Sequence, residues 1–462
     1  MRKITGDFSH VIGKISALHG VNNGPRTGNF YIDTSDSFRE AGIPFSRLHD
    51  TEYPFGSAHY VDIHCVFPNE DADPADPASY DFALTDAYLQ AILDTGAQII
   101  YRLGNSIEHG PVKVHVVPPK DFEKWAEICA GIVRHCNEGW ANGHHWNIRY
   151  WEIWNEPEGE KIGRKQMWTG TDEEYFRLYV TTARRLKKEF PDLRIGGYAS
   201  CGFYATTREN PGEWNTYMTE YAEEFFDYIS DPAHAAPLDF FSWHLYSGIA
   251  DEYGLHAAHA RKLMAEHGFG DAESILDEWN FAGEDMFEKM QRQEGAALYT
   301  AAMCRMQENG VDIATNYDGQ PMLNYCGIFR HTDFKPTKSF YSLKAWDKLY
   351  RLGGRAETSV EGRSLFSAAA VGEKGAALVL SSYAGNGETI PMSSNASGAE
   401  SDEPVEVFFK NLPWKTVRAE VYATDAERTE ALVTGGTFTG DFSLILPVDG
   451  YSVRLVKLTP VK

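Results

Sequence analysis

Basic residues are scarce in this chain. It has 43 lysines and arginines against 66 aspartates and glutamates, which gives a formal net charge of −23 at pH 7. Nucleic-acid backbones and anionic membranes attract surfaces rich in Lys and Arg, so we expect neither as a partner. No apolar run is long enough to span a membrane. Residues 1–20 lack the basic-then-apolar layout of a signal peptide, which predicts a cytoplasmic protein unless a leader has already been removed.

Cysteines and cofactor motifs are equally sparse. The six cysteines show no Cys-x-x-Cys spacing, which excludes a dense disulfide framework and favours buried thiols. The chain has no phosphate-binding Gly-Lys-Ser/Thr loop, no dinucleotide fingerprint and no serine nucleophile elbow, so we expect no cofactor. His135 and the pair His144-His145 come nearest to a metal site. No carboxylate or thiolate with matching spacing accompanies them, which favours a solvated loop and predicts no metal.

An aromatic-rich apolar segment, residues 150–158, ends abruptly in Asn155-Glu156-Pro157. Alternate side chains of a strand point to opposite faces, so we expect Glu156 to share a face with Trp154. Asn155 then points the other way or lies where the strand ends. Pro157 lacks an N–H group and stops the ladder. Taken alone, such an ending is more typical of an exposed carboxylate at a turn than of a catalytic acid.

A second apolar strand, residues 274–280, delivers another carboxylate, Glu278, after Asp277. Retaining glycosidases need two carboxyl groups about 5–5.5 Å apart, one as nucleophile and one as alternating acid and base. On a parallel barrel the C-terminal ends of different strands meet at one face. The two strand ends together therefore indicate a site for sugar chemistry.

Strands and helices alternate through the first 350 residues, which predicts a parallel sheet with helical crossovers. The predicted strands are Ala17–Asn22, Pro44–His49, Gln98–Leu103, Ile148–Asn155, Arg194–Tyr198, Leu238–Leu245, Ser274–Trp279 and Asp312–Tyr317. The predicted helices are Ser35–Ala41, Ser79–Thr95, Pro119–Glu138, Asp172–Phe190, Asn215–Ile229, His256–His267 and Arg292–Asn309. The predicted fold class is α/β, a (β/α)8 TIM barrel over residues 15–350, in which Glu156 follows strand four and Glu278 closes strand seven.

Short alternating segments separated by Gly, Pro, Asn and Ser take over after about residue 350, which predicts an accessory β-sandwich over residues 351–462. Its predicted strands are Ala376–Ser382, Val405–Lys410, Thr416–Tyr422 and Tyr451–Leu458. The stretch Asn386–Asp402 is rich in Gly, Ser, Asn and Glu and predicts a surface loop.

With these motifs in place, the chain resembles retaining (β/α)8-barrel glycoside hydrolases of the clan A type, and most of all glycoside hydrolase family 39, which includes β-xylosidases and α-L-iduronidases. The resemblance implies a metal-free retaining mechanism and a monomer or homo-oligomer. It also implies that residues 1–14 pair with the β-sandwich. The matching segments are Gly20-Val21-Asn22-Asn23-Gly24, Ser46-Arg47-Leu48-His49-Asp50, Trp154-Asn155-Glu156-Pro157, Ser242-Trp243-His244-Leu245-Tyr246 and Asp277-Glu278-Trp279.

The resemblance implies a role for each matching position. Glu156 would be the acid/base and Glu278 the nucleophile, so Glu156 must start the cycle protonated and Glu278 ionised. Asn155 would bind the sugar 2-hydroxyl. The remaining implied contacts to the substrate or to the two carboxylates are Arg47, His49, His244, Tyr246 and Trp279.

Other interpretations of these residues stay open. Arg47 could serve only to neutralise a barrel carboxylate such as Glu152, and the histidines could be structural. Tyr246 and Trp279 could be a hydrophobic wall, which would still shape a sugar site. Strand eight departs from the family pattern: Asp318 there could reach a sugar hydroxyl, or belong to an ordinary turn.

The sequence therefore predicts an enzyme that cleaves a terminal glycosidic bond by double displacement, most like an exo-acting β-xylosidase on a neutral sugar. The substrate would be a small glycoside or an oligosaccharide. Alternatives on the same site are an α-L-arabinosidase, an α-L-iduronidase or an endo-acting enzyme. A carbohydrate-binding barrel without catalysis and a metal-dependent barrel enzyme are alternatives of other classes.

Overall fold

The computed structural model describes residues 2–27, 33–51, 60–321, 325–385 and 403–461. The chain starts with β1 (Arg2–Asp7) and β2 (Gly13–Lys14) and then enters a closed barrel. Within the described ranges the barrel strands are β3 (Ala17–Asn22), β4 (Phe45–Arg47), β5 (Gln98–Leu103), β6 (Tyr150–Ile153), β7 (Arg194–Ser200), β8 (Phe240–Tyr246), β9 (Glu273–Asn280) and β10 (Ile313–Asn316). Each pairs in parallel with the next, and β10 also pairs with β3. The predicted (β/α)8 barrel is confirmed.

Helices follow the strands in the order that the sequence predicts. They are α1 (Ser35–Ala41), α2 (Ile63–Val66), α3 (Ala83–Leu93), α4 (Phe122–Glu138), α5 (Asp172–Glu189), α6 (Gly212–Ser230), α7 (Ala250–Glu266), α8 (Met286–Lys289), α9 (Gln293–Glu308) and α10 (Lys338–Leu352). Helix α4 begins after Asp121, whose side chain accepts from two backbone N–H groups of the first turn, and α5 begins at a capping box of Thr171 and Glu174. Helix α7 begins six residues before the predicted start at His256.

Side chains inside the barrel form an apolar layer below a polar one. Phe45, Tyr150, Phe240, Ile275 and Ile313 belong to one apolar cluster. Alternate residues of a strand share a face, so the next inward positions lie two residues further along each strand. They are Arg47, Glu152, Ser242, Asp277 and Thr315, and all of them are buried. The strands therefore end in a buried polar layer at the C-terminal face of the barrel, where barrel enzymes carry their sites.

A second, mostly antiparallel sheet follows the barrel. Its strands are β11 (Gly354–Glu361), β12 (Leu365–Gly372), β13 (Gly375–Tyr383), β14 (Val405–Lys410), β15 (Thr416–Thr424), β16 (Ala431–Thr439), β17 (Phe442–Leu446) and β18 (Tyr451–Pro460). Strand β1 joins it by pairing with β11 and in parallel with β14. Side chains from both ends of the sheet share one apolar core, so the sheet folds over on itself. The loop predicted at Asn386–Asp402 lies outside the described residues.

The second sheet packs against the barrel through α9 and α10. Ala368, Val379 and Leu455 belong to the same apolar core as the barrel helices. Tyr383 donates a hydrogen bond from its hydroxyl to the carbonyl oxygen of Gly248, 2.6 Å away, just past β8. The sheet therefore supports the barrel directly beside a strand that carries site residues. Among the helices of the described ranges, none combines the length and the apolar character needed to cross a membrane.

Candidate active site

Arg47, the last residue of β4, is the centre of the polar layer. Its guanidinium is fully buried and lies between three carboxyl groups of two strands, β6 and β9: Nε is 2.8 Å from Oε2 of Glu152 and 2.8 Å from Oδ2 of Asp277. Nη1 lies 3.3 Å from Oε2 of Glu278, and Nη2 donates to Oδ1 of Asn155 at 2.6 Å. Burial opposes its charge, but the three carboxylates raise the pKa of Arg47 above its ordinary value, so the group stays cationic.

A bulge in β9 brings two consecutive acids to the same face. Trp243 of β8 pairs with Leu276, whereas the next residue, His244, pairs with Glu278. Asp277 is the extra residue, and a bulge of this kind interrupts the strict alternation of side chains. Asp277 and Glu278 therefore both reach Arg47, at 2.8 and 3.3 Å.

Trp279 is displaced from the site by the same bulge. Its ring is fully buried and packs edge-on against Tyr253 of α7 and Tyr299 of α9, with centroids 5.8 and 5.0 Å away. The ring lies on the helix side of the strand, where it contributes to the core. The structure does not bring Trp279 to the two glutamates, which corrects its placement among the substrate contacts.

His244 links the two glutamates on which the sequence analysis centred. Its Nδ1 lies 2.7 Å from Oε1 of Glu156, and its Nε2 lies 3.4 Å from both Asp277 Oδ2 and Glu278 Oε2. Burial opposes protonation of the ring, but the carboxylates of Glu278 and Asp277 raise the pKa of His244 well above its ordinary value. The imidazolium form is therefore favoured: Nδ1 donates to Glu156 Oε1, whereas Nε2 lies in ion-pair contact with Asp277 and Glu278 and makes no hydrogen bond within the described residues.

Glu278 is held by three donors. Tyr246 donates to Oε1 at 2.5 Å, while Arg47 and the His244 imidazolium lie next to Oε2. Burial raises the pKa of Glu278 above its ordinary value, and Glu156 in its ionised form raises it further. His244, Arg47 and the Tyr246 hydroxyl act in the opposite direction. The three donors therefore counteract the cost of ionising a buried carboxyl group.

Two further carboxyl groups of the layer share a proton. Burial raises the pKa of Glu152 to about 8, whereas Arg47 and His244 keep the pKa of the neighbouring Asp277 low in spite of its burial. Glu152 is therefore neutral near pH 7 and Asp277 is charged. Arg47 and His244 are the two cations that face the carboxyl groups of Asp277 and Glu278.

Glu156 is positioned by an irregular backbone and not by regular strand alternation. Strand β6 ends at Ile153, and both Trp154 and Glu156 have left-handed φ angles, 75° and 44°. Such angles are uncommon outside glycine and occur at functional sites. Trp154 packs outward against Trp168, with ring centroids 5.1 Å apart. The expectation that Glu156 shares a face with Trp154 is therefore wrong.

The carboxyl groups of Glu156 and Glu278 lie close together across His244. One carboxyl oxygen of Glu156, one of Glu278 and a ring nitrogen of His244 all lie within 4.8 Å of one another. The side chain of Glu156 is 28% exposed and that of Glu278 is 10% exposed. Glu156 thus faces the solvent side, and Glu278 lies deeper in the barrel.

A cavity of about 210 Å³ opens beside Glu156 and contains a group that the sequence analysis missed, Glu158. This carboxyl accepts from the backbone N–H of Cys201 at 3.0 Å. Burial, and then the nearby Glu156 carboxylate, raise the pKa of Glu158 to about 8, so it is neutral near pH 7. Glu158 ends the Asn-Glu-Pro-Glu sequence, but no pattern in that sequence indicates that its side chain turns inward.

Aromatic side chains form a wall on the other side of the site. Tyr325 lies between Tyr246 and Tyr317, with ring centroids 5.7 Å from each, and Phe287 is 5.8 Å away. Burial, and then the carboxylates of Asp50, Asp318 and Glu278, raise the pKa of Tyr317. Phe287 and Tyr325 are exposed. No sequence motif marks Tyr317 and Tyr325, which follow β10, or Phe287, which lies in the short helix α8.

The wall is fixed to β9 by a buried amide. Asn280 donates from Nδ2 to the backbone oxygens of Tyr317 and Tyr325, at 2.6 and 2.7 Å. Asp318 follows Tyr317 and is buried, and its backbone N–H donates to the carbonyl oxygen of Tyr325 at 3.3 Å. His49 is buried just past β4, with Nε2 3.5 Å from Oδ1 of Asp50. Arg47, His244 and Tyr246 therefore contact the glutamates directly, and Asn155 is linked to Glu278 through Arg47. His49 and Asp318 are buried just past β4 and β10.

Known proteins resemble this chain both in sequence and in fold. Residues 49–317 match Glycosyl hydrolases family 39, which is more than half of the chain. The chain belongs to glycosyl hydrolase family 39. Glu156, which follows β6, and Glu278 in β9 both lie within the matched region.

Two curated relatives of this family 39 chain are β-xylosidases. The β-xylosidase of Geobacillus stearothermophilus is 33% identical over 140 residues, which is 30% of this chain and 23% of the relative. The β-xylosidase of Caldicellulosiruptor saccharolyticus is 27% identical over 195 residues, 40% of this chain and 34% of the relative. The chain thus matches only about a quarter to a third of the length of these relatives. A glucosidase structure from Croceicoccus marinus aligns over 100% of both chains, with a TM-score of 0.78 and 22% identity, and shows the same fold.

The charge balance of this family 39 site bears on whether a metal could bind between the two glutamates. Glu156, His244 and Glu278 offer three ligand atoms in suitable proximity. A metal ligand would need the lone pair of a neutral imidazole. His244 instead carries protons on both nitrogens because its carboxylate neighbours raise its pKa. The His244 imidazolium therefore already provides the positive charge that a metal ion would bring to this position.

Replacing Tyr246 by phenylalanine is expected to shift the pH dependence of hydrolysis. The Tyr246 hydroxyl favours the ionised form of Glu278. Its removal raises the pKa of Glu278 further, so the acidic limb of kcat/KM moves to higher pH, and activity falls most on the acid side of the optimum. A pH–rate profile measures this shift. Tyr253→Phe is the control, because the Tyr253 hydroxyl bonds the backbone oxygens of Ser247 and Asn280 and not a glutamate; equal shifts in both variants would contradict the assignment.

Proposed function

We propose that the chain is a retaining glycoside hydrolase that removes a terminal sugar by double displacement. The observation that carries the proposal is the approach of the two carboxyl groups, with oxygens of Glu156 and Glu278 within 4.8 Å. Retaining enzymes hold their carboxyl groups about 5–5.5 Å apart, whereas inverting enzymes leave about 6.5–9.5 Å for a water molecule. The short separation favours direct attack by a carboxylate.

In the first step Glu278 is the nucleophile and Glu156 the acid. An ionised oxygen of Glu278 attacks the anomeric carbon, the bond to the leaving oxygen breaks, and Glu156 transfers its proton to that oxygen. In the second step Glu156, now a carboxylate, takes a proton from water, whose oxygen displaces Glu278 from the anomeric carbon. Both groups return to their starting states. The deeper burial of Glu278 and the partial exposure of Glu156 suit these roles, because the leaving group and the water must arrive from the solvent side.

The residues around the glutamates support the charges that each step requires. Arg47, His244 and Tyr246 stabilise the Glu278 carboxylate before attack and after its release. Asn155 accepts from Arg47 through Oδ1, and its NH2 group, which binds no other residue in the described part of the chain, can donate to a hydroxyl of the sugar. A hydrogen bond to the 2-hydroxyl strengthens as positive charge develops on the ring. Tyr246 and Arg47 therefore act on the nucleophile, and Asn155 acts on the sugar.

We infer a neutral pentoside as the substrate, and a β-xyloside first. The two curated relatives are β-xylosidases, although they match the chain over short stretches. The basic side chains behind Phe287 have partners already: Arg292 pairs with Glu288 and Arg330 with Asp333. A uronic acid, as in an α-L-iduronide, would call for an unengaged cation beside the sugar. An α-L-arabinoside, an oligosaccharide cleaved internally, and binding without hydrolysis are the other outcomes that the site allows.

Hydrolysis of an aryl glycoside panel tests this proposal. We expect release of xylose from the β-D-xyloside at a kcat/KM at least about 10-fold above that for α-L-arabinopyranoside, β-D-glucoside and α-L-iduronide. NMR should show β-xylose as the first product, which means retention. Product of inverted configuration would overturn the double displacement. Retention with another sugar would overturn only the substrate, and binding with no hydrolysis on any glycoside would favour the non-catalytic barrel.

A further inference from the structure

Three metal-ligating side chains meet outside the barrel strands, away from the two glutamates. They are Asp86 of α3, His135 near the end of α4, and His144 in the connection between α4 and β6. One ligand atom of each lies within 4.8 Å of the other two. In the sequence, no carboxylate with matching spacing accompanies the two histidines. The carboxylate comes instead from a different helix, 49 residues before His135.

His135 has an acceptor on each side of its ring. Nδ1 lies 3.1 Å from the carbonyl oxygen of Trp140, and Nε2 lies 2.9 Å from Oδ1 of Asp86. The carbonyl can only accept, so Nδ1 carries the proton. A neutral ring then directs the Nε2 lone pair at a carboxylate oxygen, which is repulsive unless a proton or a cation lies between them. A backbone carbonyl that binds the far N–H of a histidine is also the usual support of a metal ligand.

The surroundings of His144 distinguish between a proton and a metal cation next to the Asp86 carboxylate. Its Nε2 lies 3.1 Å from Oδ2 of Asp86, yet this buried atom makes no hydrogen bond with any residue in the described part of the chain. A proton on His135 would satisfy that ring and would leave Nε2 of His144 without a partner. A divalent cation between the three atoms satisfies both imidazoles and the carboxylate together.

The two rings are already held in the orientation that a metal would need. Phe82 stacks on His135, with centroids 3.5 Å apart, and Trp146 stacks on His144 at 3.8 Å. His144 returns to His135 because its backbone N–H donates to the His135 carbonyl at 2.6 Å. The turn between them passes through Gly143, where a Cβ would collide with that same carbonyl oxygen. Ligands fixed before binding lose little entropy when the ion arrives.

We propose that Asp86, His135 and His144 bind one divalent transition-metal ion, with zinc the best match. Two imidazole nitrogens and one carboxylate oxygen are a common zinc ligand set, and three protein ligands leave one tetrahedral position for water. The side chains of Asp86 and His144 are 25% and 33% exposed, so that position faces solvent. The ion fastens the α4–β6 connection to α3 and takes no part in hydrolysis at the barrel centre.

Cobalt titration of the full-length chain tests the site after treatment with a chelator and desalting. We expect one Co²⁺ per chain with visible bands of four-coordinate intensity, and displacement by Zn²⁺ but not by Mg²⁺. His144→Ala should weaken binding by about 100-fold or more, and Asp86→Asn, which keeps the shape of the side chain, should do the same. His145→Ala is the matched control, because His145 lies in the same turn and bonds the carbonyl of Asn137 instead.

Thermal unfolding gives a second readout that does not depend on activity. Zn²⁺ at about a hundredfold excess over its Kd should raise the unfolding midpoint of the wild type and of His145→Ala by roughly 3 °C, and should leave His144→Ala and Asp86→Asn unchanged. Absence of stoichiometric Co²⁺ or Zn²⁺ binding by the wild type would overturn the proposal. Equal affinity of the wild type and His144→Ala would overturn it as well, since the ion would then bind elsewhere.

Discussion

Replacing Glu278 by glutamine is expected to lower kcat/KM for every glycoside by about 10⁴-fold or more. Glutamine keeps the size of the side chain and can still accept from Tyr246, but its amide oxygen is a poor nucleophile. Because no other group takes over attack on the anomeric carbon, the loss should not depend on the leaving group. Steady-state rates on the panel substrates measure it.

The stability of Glu278→Gln separates a catalytic role from a structural one. Burial raises the pKa of Glu278 in the folded chain above its unfolded value, so its ionisation near neutral pH costs folding free energy. The neutral amide avoids that cost, while Arg47 keeps its contacts with Asp277 and Glu152. We therefore expect a thermal midpoint equal to or above that of the wild type. An inactive variant that unfolds many degrees earlier would indicate a structural group instead.

Glu273→Gln is the matched control on the same strand. Glu273 begins β9 at the opposite end of the barrel, where it accepts from the Tyr150 hydroxyl at 3.3 Å. The same chemical change there should leave kcat/KM within about threefold. Ordinary turnover by Glu278→Gln, or equal losses in both variants, would contradict the assignment of the nucleophile.

Much of the barrel could be predicted from the sequence because its signals are local and repeated. Strand runs, helix caps and the two strand-end glutamates each occupy a short stretch, and their order defines the topology. The second sheet was harder to predict. Strands β12 and β16 were missed because they contain Ala368-Ala369-Ala370 and Gly435-Gly436, residue types that are depleted in strands and depend on neighbouring strands for their conformation.

Side-chain directions at the site could not be predicted, because two departures from regular geometry change them. The bulge at Asp277 turns Glu278 inward and Trp279 outward, and the left-handed backbone of Trp154 separates it from Glu156. Regular alternation would instead point Glu278 outward and Trp279 inward, and it would place Trp154 on the same face as Glu156. Contacts between residues that are distant in sequence could not be predicted either, because no pattern near His135 indicates that it contacts Asp86. The sequence identified the two acids, whereas the surrounding charges depend on the fold.

Replacing Glu156 by alanine is expected to give losses that depend on the leaving group. Glu156 is the proposed acid of the first step, and general acid catalysis contributes about 10²–10⁴-fold when the leaving oxygen needs a proton. The rate at which the variant hydrolyses alkyl glycosides should fall by a factor in that range. A dinitrophenyl glycoside needs no such proton, so its first step should survive and the glycosyl-enzyme should accumulate, because the variant also lacks a base to activate water. A burst of dinitrophenol followed by slow turnover would show this.

Azide should restore turnover of Glu156→Ala on the activated substrate. Loss of the side chain leaves the His244 imidazolium, which is 2.7 Å from Oε1 of Glu156 in the wild type, facing an empty volume beside the anomeric carbon. A small anion fits that volume and needs no base to attack. The product should be a glycosyl azide with the configuration of the substrate, formed at a rate that rises with azide concentration.

Glu158→Gln is the control for the Glu156 variant. Glu158 is neutral near pH 7 because burial and Glu156 raise its pKa to about 8, so an amide changes its charge little. We expect no burst and no azide rescue in that variant. Uniform losses of Glu156→Ala across alkyl and dinitrophenyl glycosides, without rescue, would mean that Glu156 only positions His244. The separation of 4.8 Å or less would then reflect a hydrogen-bonded network and not an acid/base next to its nucleophile.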